Sequence, residues 1–409
     1  MTDDAAEHRS DIRPVEDRGE ATGSMEPLLL SEGSPHRTAL TDLAVELAAA
    51  SAGFRRSLPD GIVRPLADLV RAMNCYYSNL IEGHSTHPVD IERAMRSDFS
   101  ADPEKRNLQL EATAHVNVQQ WIDEGGIRGR ATSVTALQEI HRRYSEHLPE
   151  ELLVARDPDT AREIKVVPGE LRRDDVMVGR HVAISPGAVP RFMERFERAY
   201  GGLGKAETIL AAAAAHHRLL WIHPFADGNG RVARLMSHAT LLDALDTAGI
   251  WSVARGFARR VTAYKAGLME ADLPRRNDLD GRGTLSEEAL ARFIGFFLET
   301  CLDQVKFMEQ LVQPERLRDR ILIWVEEETR AGTLPPRSGK VLEAILFRGE
   351  LPRSDVPALL DTGERNARRT VSSLLEHGVL VSASSRASLG IAFPAALASR
   401  WMPGLFPEP

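Results

Sequence analysis

The residues with most chemistry in this chain are consecutive: positions 223–234 read HPFADGNGRVAR. The Gly-Asn-Gly at 228–230 stands immediately before a helical pattern. Glycine lets the backbone come close to an anion, and the first N–H groups of a helix point at it with the dipole favouring negative charge. Arg231 and Arg234, at i and i+3, lie on neighbouring positions of the first turns of that helix. Two guanidinium forks beside a nest of N–H groups suit a polyphosphate. Asp227, just ahead of the nest, can hold a divalent cation that bridges phosphate oxygens. His223 supplies a base that titrates near neutral pH. Pro224 and Phe225 read as structural, with Phe225 anchoring the loop in the core. A lone Gly-Asn-Gly is usually a turn and a lone histidine usually a core residue; the combination carries the reading.

The elements that must position this segment are helices. From Thr38 the apolar residues Leu40, Leu43, Ala44, Leu47 and Ala48 recur at helical spacing. Further helices are predicted over 65–81, 107–124, 134–144, 189–200, 205–222, 231–248, 255–271 and 286–311. Residues 157–189 differ: two short β-branched runs, 164–167 and 176–178, are punctuated by Gly169, Gly179, Pro186 and Gly187, which predicts an irregular segment with a hairpin. Asp278 to Gly283 reads as an interhelical turn, since it lacks the alternating ligands of a calcium loop. After Leu334-Pro335-Pro336 a new unit begins: helices over 338–347, 353–360 and 365–377, then extended pieces at 379–382 and 388–393. Three short helices and a hairpin is the winged-helix plan. The whole is therefore mainly α. The expected divisions are a disordered tail at 1–35, a helical region at 36–125, a catalytic core at 126–312, a linking helix and linker at 313–336, and the winged-helix unit at 337–409.

The 223–234 motif resembles the signature of the Fic family, HPFxxGNGRxxR with a carboxylate in the fifth place. The fold implied is a Fic-type helical bundle with a β-hairpin flap. The activity implied is transfer of AMP from ATP to a Ser, Thr or Tyr hydroxyl of a protein target or of the enzyme itself. The resemblance implies that His223 deprotonates the attacking hydroxyl and that Asp227 holds Mg2+. Gly228, Asn229 and Gly230 would then cradle the phosphates, Arg231 would support them, and Arg234 would pair with the γ-phosphate.

Upstream, Ser78-Asn79-Leu80-Ile81-Glu82-Gly83 places Ser78 and Glu82 on one helical face, with Gly83 able to end the helix. This is similar to the family's inhibitory pattern, in which the glutamate pairs with the second motif arginine, here Arg234. The resemblance also makes 165–185 the flap that aligns the target, with Val176, Met177 and Val178 as an edge able to hold a target strand. It puts Tyr264 beside the adenine, although Arg260 stands where the family commonly has Asn.

Composition sets the outer bounds. The chain has 409 residues with 51 basic and 59 acidic side chains, a formal net charge of −8. Mild acidity argues against a wholesale nucleic-acid coat or a polybasic membrane anchor. Cys75 and Cys301 make neither a disulfide framework nor a zinc cluster, and no signal peptide or membrane span is evident, so a cytoplasmic protein is expected. From residue 335 onward nine basic residues face seven acidic ones, so a DNA-binding role for the unit carrying Arg365, Asn366, Arg368, Arg369 and Thr370 and a protein-docking or dimerising role stand as alternatives. Two other readings keep the motif: removal of AMP from a modified protein, and a DNA-binding regulator that senses nucleotide.

Overall fold

The computed structural model describes residues 15–156, 162–178 and 181–406. The first helices are α1 (Arg37–Arg56), α2 (Asp60–Ile81), α3 (Pro88–Met95), α4 (Pro103–Asp123) and α5 (Val134–Ser145). Two small antiparallel ladders follow, β1 (Val154–Arg156) with β2 (Glu163–Lys165) and β3 (Met177–Val178) with β4 (His181–Val182). The core continues with α6 (Val189–Tyr200), α7 (Lys205–Ile222), α8 (Asn229–Leu245), α9 (Ala254–Arg259), α10 (Val261–Ala271) and α11 (Glu287–Leu311). Last come α12 (Pro314–Ala331), α13 (Ser338–Arg348), α14 (Val356–Leu360), α15 (Glu364–Glu376), the β5 (Leu380–Val381) and β6 (Gly390–Ile391) ladder, and α16 (Ala398–Trp401).

At the centre lies α7. Its Ala211–Ala215 run is buried, as are His216, His217 and Arg218, so the helix faces protein all round. The small side chains let α8 pack directly against it. Capping residues set the starts of α5 and α11: Ser133 accepts from the Ala136 N–H at 3.2 Å, and Ser286 from that of Ala289 at 3.0 Å.

The structure departs from the sequence reading most in three places, besides adding the short helices α3 and α16. Residues 157–189 hold two ladders rather than one hairpin, because the run around Ile164 pairs back with 154–156 and the run at 177–178 with 181–182. The helix predicted over 255–271 breaks at Arg260, whose φ of −122° and ψ of 36° leave the helical region while its guanidinium binds the Thr300 hydroxyl. The largest difference is the tail. Residues 15–35 lie on the core, with Met25, Leu28 and Leu30 buried. Few apolar residues suffice because sequence-distant groups hold the backbone: the Arg218 Nη2 donates to the Pro27 carbonyl at 2.9 Å and the Tyr200 hydroxyl to that of Leu28 at 2.8 Å. Residues 1–14 of that tail lie outside the described residues.

The C-terminal elements close back onto α2. The Tyr77 hydroxyl donates to the Leu405 carbonyl at 2.9 Å, and Arg255 Nη2 to that of Gly404 at 2.7 Å. At the other end of α2, Gly61 meets Gly349 backbone to backbone, where a Cβ on Gly61 would overlap the Gly349 carbonyl. No helix among the described residues is long and apolar enough to cross a membrane.

Candidate active site

The loop between α7 and α8 is built by backbone geometry first. His223 sits at the C-terminal end of α7 in the left-handed region, φ 53°, and its N–H closes the helix on the Leu219 carbonyl at 3.0 Å. A non-glycine residue there is held by its surroundings rather than by its own preference. Gly228, φ 80°, opens α8 from the same region, where a side chain would be strained. Between them Phe225 is fully buried and stacks on His141, with centroids 4.1 Å apart and planes 2° from parallel. Burying such a ring contributes about 1.5–3 kcal/mol.

His141, on α5, is a brace the sequence did not reveal. Its Nδ1 accepts the Gly169 N–H at 2.9 Å, so its Nε2 carries the proton and donates to the Asp227 carbonyl at 3.2 Å. Burial lowers its pKa to about 4, which keeps that neutral tautomer at pH 7. Asn229 is a second brace. Its Oδ1 accepts from the Phe225 N–H at 3.0 Å and its Nδ2 donates to the Phe225 carbonyl at 2.8 Å. Its side chain therefore folds onto the loop, which leaves its backbone N–H as the group it can offer to the nest.

The reactive groups follow from this frame. The His223 Nδ1 lies 3.3 Å from the Leu220 carbonyl, which can only accept, so Nε2 is the unprotonated nitrogen. Burial pulls its pKa down to about 4, against the opposing effect of that carbonyl. The Asp227 carboxylate is exposed and makes no hydrogen bond or ion pair among the described residues. Arg231 is buried, with its guanidinium 5.1 Å from the Tyr144 ring centroid and 3.5 Å from the Glu111 carboxylate. Its Nε is buried with no partner among the described residues, a donor left for an anion. Burial works against its charge, yet Tyr144, Glu111, Glu82 and Asp227 together hold its pKa above the usual value.

Arg234 is occupied. Its Nε donates to the Ser78 hydroxyl at 2.8 Å, its Nη2 to the Ser78 carbonyl at 3.2 Å, and Nη2 also binds the Glu82 carboxylate. Burial raises the Glu82 pKa, and Arg234 and Arg231 more than offset this, leaving it below the usual carboxylate value. Gly83, φ 90°, ends α2: its N–H donates to the Leu80 carbonyl at 3.1 Å and the His84 N–H to that of Asn79 at 2.9 Å. That paired closure needs a residue at ease in the left-handed region. His84 then reaches Glu111, Nδ1 to Oε2, at 2.7 Å.

Residues 131–241, which contain this loop and both arginines, match the Fic/DOC family model. The chain carries a Fic/DOC domain. Over 171 residues it is 28% identical to the protein adenylyltransferase Fic of Drosophila erecta and 29% identical to that of Drosophila persimilis. Each alignment covers 41% of this chain but only 32% and 31% of those proteins, so the chain spans less than a third of these relatives' length. In architecture it is similar to a Fic family protein from Desulfovibrio desulfuricans G20, with a TM-score of 0.51 at 16% identity over 89% of this chain and 98% of the other. The mainly helical Fic fold is thereby supported on structural grounds as well.

Beside the Fic domain motif, the flap edge lies at Val176–Val178. The Ala183 N–H donates to the Val176 carbonyl at 3.2 Å, Met177 pairs in register with Val182, and Met177 is exposed. No strand among the described residues pairs with the second edge of β3. His181 fixes the hairpin to α7 through the Trp221 carbonyl at 2.8 Å. Tyr264 is placed otherwise than expected: it is 2% exposed, its ring stacks on Phe257 at 4.4 Å, and its hydroxyl meets His216 Nε2 at 2.7 Å. A ring so enclosed has no face free for a nucleotide base. Glu111, His141 and Arg172 carried no signal in the sequence because each stands among other polar residues and its partners lie far along the chain. On α15, Arg365 and Arg369 are exposed, and Arg368 pairs with Glu364 at 2.7 Å.

Proposed function

We propose that the protein transfers AMP from ATP to a hydroxyl of a target protein, and to itself, and that Glu82 restrains this reaction by occupying Arg234. The observation that carries the reading is the pinned ring of His223, whose Nε2 is free to take a proton at neutral pH, in the loop that leads into the phosphate-binding nest. In the reaction Nε2 accepts the proton of the target hydroxyl as its oxygen bonds to the α-phosphorus. The bond from that phosphorus to the bridging oxygen breaks, and pyrophosphate leaves. The α8 N-terminus and Arg231, whose Nε has no partner among the described residues, stabilise the negative charge.

The residues present suit Mg2+, which keeps most of its waters and asks few ligands of a protein. Asp227 is an exposed carboxylate without a protein partner, and no cluster of three metal-binding side chains occurs among the described residues. Asp227 would hold the ion, and the ion would supply charge neutralisation on the phosphates.

The brake follows from the ion pair. A γ-phosphate needs the Arg234 donors that Ser78 and Glu82 now take. The deciding experiment incubates wild type, Glu82→Gly and His223→Ala with Mg2+ and ATP labelled on the α- or the γ-phosphate. Label from the α-phosphate alone, strongest in Glu82→Gly and absent in His223→Ala, supports the reading. Label from the γ-phosphate, or none in any variant, overturns it.

A further inference from the structure

Arg172 lies in the irregular segment before the flap hairpin and is 4% exposed, yet it touches no carboxylate among the described residues. Its guanidinium is spent on carbonyl oxygens: Nε on His223 at 2.8 Å, Nη1 on Asp174 at 3.0 Å, and Nη2 on Ile184 at 2.5 Å. Its own N–H donates to the Pro224 carbonyl at 2.9 Å. A rigid planar fork thus bridges both ends of the flap to the two residues that open the catalytic loop. Burying a cation on carbonyls alone is costly, and burial brings its pKa down to about 10, still charged at pH 7.

A second layer holds this clamp from outside. Glu20 accepts from the Ser185 N–H at 2.8 Å and the Ser185 hydroxyl at 2.6 Å, fixing the residue next to Ile184. Arg18 pairs with Asp175, next to Asp174, at 2.9 Å. Arg191 Nη2 donates to the Glu20 carbonyl at 2.8 Å, and the Gly187 N–H to that of Glu16 at 2.7 Å. Residues 16–20 therefore hold Asp175 and Ser185, the neighbours of Asp174 and Ile184, the two flap-base residues whose carbonyls Arg172 holds.

We propose that Arg172 is a positioning residue for His223, and that the 16–20 strap supports it by fixing the flap base. Left-handed backbone at His223 is unfavourable by itself, and the Arg172 contact to its carbonyl is one of the interactions that hold it there. Without the clamp the carbonyl is free to turn, and the ring loses the register that puts Nδ1 on Leu220. This inference rests on the adenylyl-transfer reading for its kinetic arm only.

The charged and titratable groups around the ring are Arg172 from the flap base, His181 from β4 and Asp227 from the catalytic loop. Of these, Arg172 and His181 lower the His223 pKa and Asp227 raises it. The test is done on the full chain with Arg172→Lys, Arg172→Met and Glu20→Ala, each alone and with Glu82→Gly. Long-range nitrogen NMR of the His223 ring, assigned with His223→Ala, reads tautomer and pKa without any activity. Wild type is expected as one Nδ1-protonated tautomer. Arg172→Met is expected to mix tautomers and raise the ring pKa, and Arg172→Lys to mix tautomers while keeping the pKa low.

In the Glu82→Gly background, kcat is expected to fall about 100-fold for either Arg172 variant and about 10-fold for Glu20→Ala, as misplacement of a reacting group by an ångström does, with KM for ATP held. A His223 ring with unchanged tautomer in Arg172→Lys and Arg172→Met overturns the proposal. If Glu82→Gly itself transfers no label, the adenylyl reading fails and the NMR arm still decides the role of Arg172.

Discussion

A side chain on Gly230 would overlap the Glu82 carboxylate, so the proposed brake and the proposed phosphate nest share one small volume at the first turn of α8. The same missing Cβ that opens the nest to an anion admits an anion of the protein's own. Glu82 therefore stands where negative charge is favoured twice over, by the helix N-terminus and by Arg234.

Removing that carboxylate frees Arg234 of its anionic partner and leaves the Ser78 contacts in place. Hydrogen bonds to charged groups are worth about 1.5–3 kcal/mol, so Glu82→Gly is expected to raise initial-rate transfer from α-labelled ATP about 10- to 100-fold. A rate equal to wild type removes Glu82 from regulation.

Gly83 offers a graded version of the same test. Alanine at φ 90° is strained and weakens the closure of α2 that aims Glu82 at Arg234. Gly83→Ala is expected to lose about 1 kcal/mol in denaturant unfolding and to label at a rate between wild type and Glu82→Gly. A rate at the wild-type level would show that the closure does not aim Glu82.

The pH dependence is shifted well below that of an exposed histidine. With His223 lowered to about 4, its neutral form is present throughout the neutral range, so transfer by Glu82→Gly is expected to stay level from pH 8 to 6 and to fall only toward pH 4. A rate that halves near pH 6.5 contradicts this.

Stability shares the cause. His115 and His216 are lowered to about 3 and His141 and His223 to about 4, in each case chiefly by burial. Below the unfolded value of about 6.5 the unfolded chain binds protons that the folded chain refuses, so stability falls as pH drops from about 6.5 toward 4. The Tm measured across that range is expected to decline steadily, and a Tm that is flat between pH 6.5 and 4.5 would count against neutral buried rings.

Tyr264 tests a correction. Its hydroxyl serves His216, so Tyr264→Phe is expected to cost about 1 kcal/mol of stability and to leave KM for ATP unchanged. A several-fold rise in KM would return Tyr264 to the nucleotide.

What the sequence made legible was local. Residues 223–234 and 78–83 announce themselves because backbone punctuation and chemistry coincide within a few positions, and helices such as α1 and α5 follow their apolar period. Residues whose partners lie far along the chain stayed hidden. His141 matters through Asp227, Glu111 through Arg231, and Glu20 through Ser185, pairings no local pattern encodes. The 15–35 segment misled for the same reason: its order comes from buried carbonyl acceptors and ion pairs rather than from apolar density. Asn229 hid a second role in the same way, since its side-chain amide braces Phe225.

The closure of residues 404–405 onto Arg255 and Tyr77 bears on how this molecule can be dissected. Cutting after α11 would bare Tyr77, leave Arg255 without its carbonyl partner, and unseat the Gly61 end of the helix that delivers Glu82. A shortened catalytic fragment would therefore differ from the full chain in its resting rate even with every motif residue intact, and that rate would report the cut rather than the enzyme.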